Sequence, residues 1–178
     1  MATHTLKDKV VLITGGAKNL GGLISCKFAE QGAKLAIHYN SAETQTDAEQ
    51  TLAAVKALGA DAVLIQADLT DIDNIEKLFL DTKQHFGGID IAINTVGKVL
   101  KKSFLDTTEQ EFDSMSDINS KIAYFFIQSA GRHLNDGGKI CSIVTSLLAA
   151  YTGLYSTYEG LKAPVEHYTR AASKEFGD

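Results

Sequence analysis

Tyr158 and Lys162 stand four residues apart in the stretch YSTYEGLKAP, residues 155–164. Residues at i and i+4 lie on one face of a helix, so the ammonium can sit beside the phenol. A nearby cation favours the phenolate and lowers the tyrosine pKa from its usual value of about 10. A phenol tuned in this way gives a proton to a developing alkoxide or takes one from an alcohol. Ser146, twelve residues upstream of Tyr158, offers a hydroxyl that can hydrogen-bond an oxygen of the same substrate. An isolated pair of this spacing is more often a packed aromatic beside a solvated amine. The pair gains meaning only if the rest of the chain can hold reactants in front of it.

A second constellation lies near the start. TGGAKNLGG, residues 14–22, follows an apolar run and opens straight into a helical pattern. Glycines there permit a tight turn and let a phosphate approach the backbone. The free amides and positive end of the helix then favour an anion. The spacing lacks the G-x-x-x-x-G-K-[ST] of a P-loop, and Asn19 stands where G-x-G-x-x-G would put a glycine. A dinucleotide site shows its ribose preference after the second strand, where a carboxylate selects the free 2′-hydroxyl. IHYNSAET has no acid before Glu43, whereas Lys18, Asn40 and Ser41 supply a cation and donors that suit a 2′-phosphate. The pattern therefore favours NADP(H) over NAD(H); the bland alternative is a solvated Lys18. Asp68, in ADLTD, can accept from an adenine amino group or cap the helix that begins near Asp71.

The elements that must position these groups are legible as an alternation. KVVLITG (9–15), KLAIHY (34–39), DAVLIQAD (61–68), DIAINTVG (90–97) and KICSIVTS (139–146) are apolar runs of strand length. Between them lie helical patterns over 20–32, 44–59, 71–87 and a long one over 108–134, several ending at Gly32, Gly59 and Gly87. Strands nearly continuous in Val, Ile and Leu suit a parallel sheet covered on both faces. The alternation predicts right-handed crossovers and a doubly wound, Rossmann-like α/β fold, one domain over residues 1–178. Ligands then bind outside the carboxyl ends of the strands, where both constellations fall. Pro164 sits inside the last helical pattern, where it should remove a hydrogen bond and bend the axis.

Composition narrows the classes further. With 44% apolar residues and a net charge of −5 spread over the chain, a core is available and a basic nucleic-acid surface is not. No apolar run approaches a membrane span, and MATHTLKDK shows no secretory pattern, so a soluble cytoplasmic protein is expected. Cys26 and Cys141 lack metal-ligand spacing and read as buried thiols, and no metal site is expected.

Taken together the motifs resemble the short-chain dehydrogenase/reductase family, in its 3-oxoacyl/carbonyl-reductase-like branch, along essentially the whole chain. TGGAKNLG is similar to the family's T-G-x-x-x-G-x-G turn, with Asn19 for the middle glycine. NTVG matches N-N-A-G at Asn94 and Gly97 and departs at Thr95 and Val96. Asn119 matches the helix asparagine that holds a water for proton relay, and Tyr158 and Lys162 match Y-x-x-x-K. The family often places its serine thirteen residues before the tyrosine, at Thr145 here; the ending of SIVTS instead selects Ser146. The resemblance implies hydride transfer between NADP(H) and a carbonyl or alcohol. Asn119, Ser146, Tyr158 and Lys162 would be catalytic, with Lys162 also on the nicotinamide ribose. Cofactor contacts would come from Gly15, Lys18, Asn19, Leu20, Gly21, Asn40, Ser41, Asp68, Leu69, Asn94, Gly97, Tyr158 and Lys162. It also implies a homodimer or homotetramer built through the long helices.

Two departures bound this reading. Family members generally continue past the last helix with further strands and a substrate-covering segment, and Glu159 and Leu161 replace the small residues usual between tyrosine and lysine. A dinucleotide-binding sensor or scaffold without turnover is the alternative class. A sugar-nucleotide epimerase or dehydratase would need a G-x-x-G-x-x-G turn, which is absent. The lysines of GKVLKKSFLDTT (97–108) leave open an anionic substrate or simple solvation.

Overall fold

The computed structural model describes residues 5–177. Five strands, β1 (Val10–Thr14), β2 (Lys34–Tyr39), β3 (Ala62–Gln66), β4 (Ile91–Asn94) and β5 (Lys139–Ser142), form one sheet in the order β3-β2-β1-β4-β5. Every pairing is parallel. The helices are α1 (Asn19–Glu30), α2 (Gln45–Ala57), α3 (Ile72–Phe86), α4 (Glu109–Ser116), α5 (Ile122–His133) and α6 (Ser156–Glu175). The expected doubly wound α/β architecture is present. Its strand order reverses at β1, between β2 and β4, which opens a crevice at the carboxyl edge.

Successive side chains of a strand point to opposite faces, and the core divides accordingly. Leu12, Ala36 and Ala92 face Ile75, Leu78 and Phe79 of α3 and Ile122, Phe126 and Ala130 of α5. Val11, Ile13, Leu35, Ile37 and Ile93 face Ala29 of α1 and Val55 of α2. Both faces are covered, which is why the strands read as unbroken apolar runs rather than as alternation. Phe79 and Phe126 meet with ring centroids 5.3 Å apart in a tilted pair, a contact that joins α3 to α5.

Local chemistry sets the helix ends. Asp71 caps α3 by accepting from the amide of Asp73 at 3.2 Å. Thr108 and Glu111 form a reciprocal capping box at the start of α4. Gly32, Gly59 and Gly87 take left-handed backbone angles at the ends of α1, α2 and α3.

Two expectations change in detail. The single long helix over 108–134 is interrupted by a π turn at Asp117–Lys121, which buries Asn119. Pro164 lies inside α6, as the sequence placed it, and costs the helix one backbone donor. Cys26 is half-buried, but Cys141 is exposed, because β5 is an edge strand on which Lys139 and Cys141 share the open face. Among the described residues no cluster of three or more His, Cys, Asp or Glu side chains could hold a metal ion. No described helix is long and apolar enough to cross a membrane.

Candidate active site

A cavity of about 630 Å³ opens at the carboxyl edge of the sheet. Its floor is the glycine turn. Gly15 has φ +66°, and a side chain there would meet Thr95 Oγ1 at 2.8 Å. Asn19 occupies the left-handed region at φ +50°, a conformation that asparagine tolerates better than most residues, so it can stand in for a glycine. Gly21 is tighter still, since a Cβ would lie 2.0 Å from the carbonyl oxygen of Gly15. The turn's carbonyls are tied from outside: Ser25 Oγ donates to Gly16 O at 2.9 Å and Thr51 Oγ1 to Ala17 O. The amides of Asn19, Leu20 and Gly21, in the first turn of α1, have no acceptor among the described residues, and that turn carries no acid. Such an end suits an anion, and the narrow turn suits a diphosphate. The residues present therefore fit a dinucleotide.

The side walls come from the strand ends. Lys18, Tyr39, Asn40 and Thr44 line the cavity beyond β2, and no carboxylate does so there. Lys18 Nζ is paired with Asp47 of α2 at 3.1 Å, both side chains about half exposed. Ser41 lies outside the wall; its amide donates to Thr44 Oγ1 at 3.2 Å. Beyond β3, Asp68 and Leu69 line the cavity. The hydroxyl and amide of Thr70 both donate to Asp68 Oδ1, which holds that carboxyl below its ordinary range. Capping of α3 falls to Asp71, so Asp68 Oδ2 has no partner among the described residues.

The fourth strand links this cavity to the tyrosine helix. Asn94 is buried and supports the sheet: its Oδ1 accepts from Thr14 Oγ1 at 2.8 Å and from the amide of Val96 at 3.0 Å. Lys162 is 3% exposed, and its Nζ donates to Val96 O at 3.0 Å and Ile143 O at 3.1 Å. Burial lowers its pKa to about 8, so at neutral pH it remains cationic. A Cβ on Gly97 would stand 2.9 Å from that Nζ and 3.2 Å from Asn119 Oδ1, so these three residues share one point. Asn119 accepts from the amide of Lys98 at 3.0 Å and donates to the carbonyls of Lys98 and Met115 at 2.9 and 3.1 Å. Both of its N–H groups and its carbonyl oxygen thus take part in pinning the loop after β4 to the π turn. Of the lysines in that loop, Lys98 lines the cavity, while Lys102 is neutralised by both oxygens of Glu111.

Comparison with known proteins agrees with this geometry. The sequence profile described as enoyl-(acyl carrier protein) reductase matches residues 15–178. The chain belongs to the short-chain dehydrogenase/reductase family. A dehydrogenase from Burkholderia cenocepacia, solved with NADP bound, is 65% identical and superimposes with a TM-score of 0.94, covering 99% of this chain and 67% of that one. A short-chain dehydrogenase from Oenococcus oeni is 52% identical with a TM-score of 0.80, covering 97% and 75%. A hydroxynaphthalene reductase of Aspergillus fumigatus is 35% identical over 174 residues, 97% of this chain but 62% of that protein. The chain thus spans a little under two thirds of the length of such relatives.

Set beside the family pattern, the turn residues Gly15, Lys18, Asn19, Leu20 and Gly21, with Asn40, Asp68, Leu69 and Gly97, all line the cavity. Tyr158 is half-buried on α6 one helical turn before Lys162, and Ser146 is exposed in the short 3₁₀ turn Ser146–Leu148 after β5. Neither side chain makes a hydrogen bond among the described residues, whereas Thr145 Oγ1 accepts from the amide of Leu147 at 3.3 Å. Sequence reasoning missed Thr95, Ile118 and Ile122, which add to the wall, and His38. Ile118 and Ile122 looked like ordinary helix residues, and Thr95 stood out only as a departure from N-N-A-G. His38 could be noticed only as a lone polar residue inside an apolar strand.

Proposed function

We propose that the protein interconverts a carbonyl and an alcohol with NADP(H), Tyr158 acting as general acid in reduction and general base in oxidation. The carrying observation is the bridge formed by buried Lys162. Its ammonium holds Val96 O at the cavity and Ile143 O at the end of β5, one helical turn from Tyr158. A cation so placed favours the phenolate left when Tyr158 gives its proton to the substrate oxygen. NADP(H), when bound, supplies or takes up the hydride at the substrate carbon. Ser146 orients the carbonyl. The phenolate regains its proton by way of Lys162 and a water held at the π turn that carries Asn119.

NADP is supported by the Burkholderia dehydrogenase solved with it and by a wall carrying Lys18 and Asn40 but no acid. A 2′-phosphate would draw Lys18 from Asp47, an exposed pair worth at most about 1 kcal/mol. The fungal reductases make bicyclic aromatic ketones a sensible substrate class to include. Phe112 and Tyr124, each about half exposed on α4 and α5, support association of subunits through these helices. Binding without turnover is the second reading, favoured by Tyr158 and Ser146 lying outside the cavity wall.

The test is NADPH oxidation by the purified protein against ketones, aldehydes, 3-oxoacyl esters and bicyclic aromatic ketones. Turnover on any of them is the expected result. NADPH binding with no turnover across the panel would give the second reading precedence.

A further inference from the structure

His38 lies near the end of β2 and is 2% exposed, yet both of its ring nitrogens are occupied. Nδ1 faces the amide of Gly15 at 3.0 Å, and Nε2 faces the carbonyl oxygen of Ala67 at 2.9 Å. An amide N–H only donates and a carbonyl only accepts. Nδ1 must therefore offer its lone pair and Nε2 must carry the proton, which selects one neutral tautomer. Burial agrees with this, because it lowers the His38 pKa to about 4, against weaker opposing pulls from the hydrogen bond to Ala67 O and, less, from Asp68. The backbone adds a third tie, the amide of Gly16 donating to His38 O at 3.0 Å.

The two ring partners belong to different walls. Gly15 begins the turn that presents the free amides of α1, and Ala67 immediately precedes Asp68 and Leu69. β2 and β3 are also joined by their ladder, which ends with Tyr39 opposite Gln66, by the amide of Ala67 donating to Tyr39 O at 3.0 Å and by Tyr39 Oη donating to Gln66 Oε1 at 3.4 Å, but none of these bonds reaches the glycine turn. We infer that His38 is a positioning residue for the cofactor site: its neutral ring spans the glycine turn and the loop after β3 and sets the separation of the diphosphate and adenine walls. The inference rests on the dinucleotide reading above. An apolar side chain in its place would strand a donor and an acceptor at the cavity floor and would leave the two walls joined only through the backbone of β2, by the Gly16–His38 and Ala67–Tyr39 bonds.

Three variants test it. His38→Asn keeps an acceptor near the Nδ1 position, His38→Gln keeps a donor near the Nε2 position, and His38→Leu keeps neither. NADPH dissociation constants are measured by fluorescence, at temperatures well below each variant's unfolding midpoint. Leucine is expected to weaken binding about tenfold or more, as loss of a buried hydrogen bond predicts. Asparagine or glutamine should recover part of that loss, and the rise in KM for NADPH should exceed any fall in kcat. A leucine variant that is less stable but binds NADPH like the wild type assigns His38 to the core alone and overturns the inference. Should leucine fail to fold, wild-type affinity in both amide variants overturns it, and a loss of about threefold or more in either supports it. A wild type that does not bind NADPH overturns the dinucleotide reading and this inference with it.

Discussion

At the scale of the residue, the site depends on where a proton and a charge are held. Tyr158→Phe removes only the hydroxyl. Turnover should fall by a factor of about 10² or more while the NADPH dissociation constant stays near wild type, as rate assays and fluorescence titration would show. Gly97→Ala should act through neighbours, because the new methyl would press on Lys162 Nζ and Asn119 Oδ1. Its kcat should drop at least about tenfold with little change in the unfolding midpoint, since the lysine end can swing away without disturbing the core. Near-wild-type kcat would mean that the ammonium need not stay where it is. Lys162 also gives a signed pH dependence. Burial lowers its folded pKa from 10.5 to about 8, so its charge is a burden on the folded state below pH 8. Between pH 8 and 10.5 the unfolded chain binds the extra proton, and the burden is relieved as pH rises. Urea midpoints of the cofactor-free protein should gain from this term across that window, and Lys162→Met should lose the gain.

The secondary-structure elements hold the site by packing rather than by propensity. Phe126 on α5 is fully buried against Phe79 of α3, and α5 continues directly from the π turn that carries Asn119. Phe126→Ala should cost about 3–5 kcal/mol in urea denaturation, whereas Leu80→Ala, half exposed on α3, should cost under about 0.5 kcal/mol. Comparable losses would mean that this face of the sheet is not the core. The strands were readable because a sheet covered on both faces demands continuous apolar runs. The end of α3 was readable at Gly87, where one residue's conformation suffices. The π turn was not. Its extra residue preserves the helical pattern of apolar positions on either side, so periodicity alone shows one long helix over 108–134.

For the whole molecule, binding energy at the cavity is linked to folding. With NADPH at about a hundred times its dissociation constant, linkage predicts about 2.7 kcal/mol of added stability. In a domain of this size that corresponds to roughly 5–10 °C in the unfolding midpoint. Differential scanning fluorimetry should show this shift with NADPH and a smaller one with NADH at equal concentration. Equal shifts would remove the preference assigned to Lys18 and Asn40. By itself the sequence determined the fold class, the glycine turn after β1 and the helical pairing of Tyr158 with Lys162, because each depends on short-range spacing or on which residues avoid water. Only the tertiary structure decided that Asp71 caps α3 while Asp68 stays on the cavity wall, and that Lys18 pairs with Asp47. It alone brought Gly97, Asn119 and Lys162 to one point and turned His38 into a link between two walls. The contacts at Gly97 and His38 join residues 22 to 65 positions apart, and no local pattern encodes a contact whose two ends lie on different strands or helices.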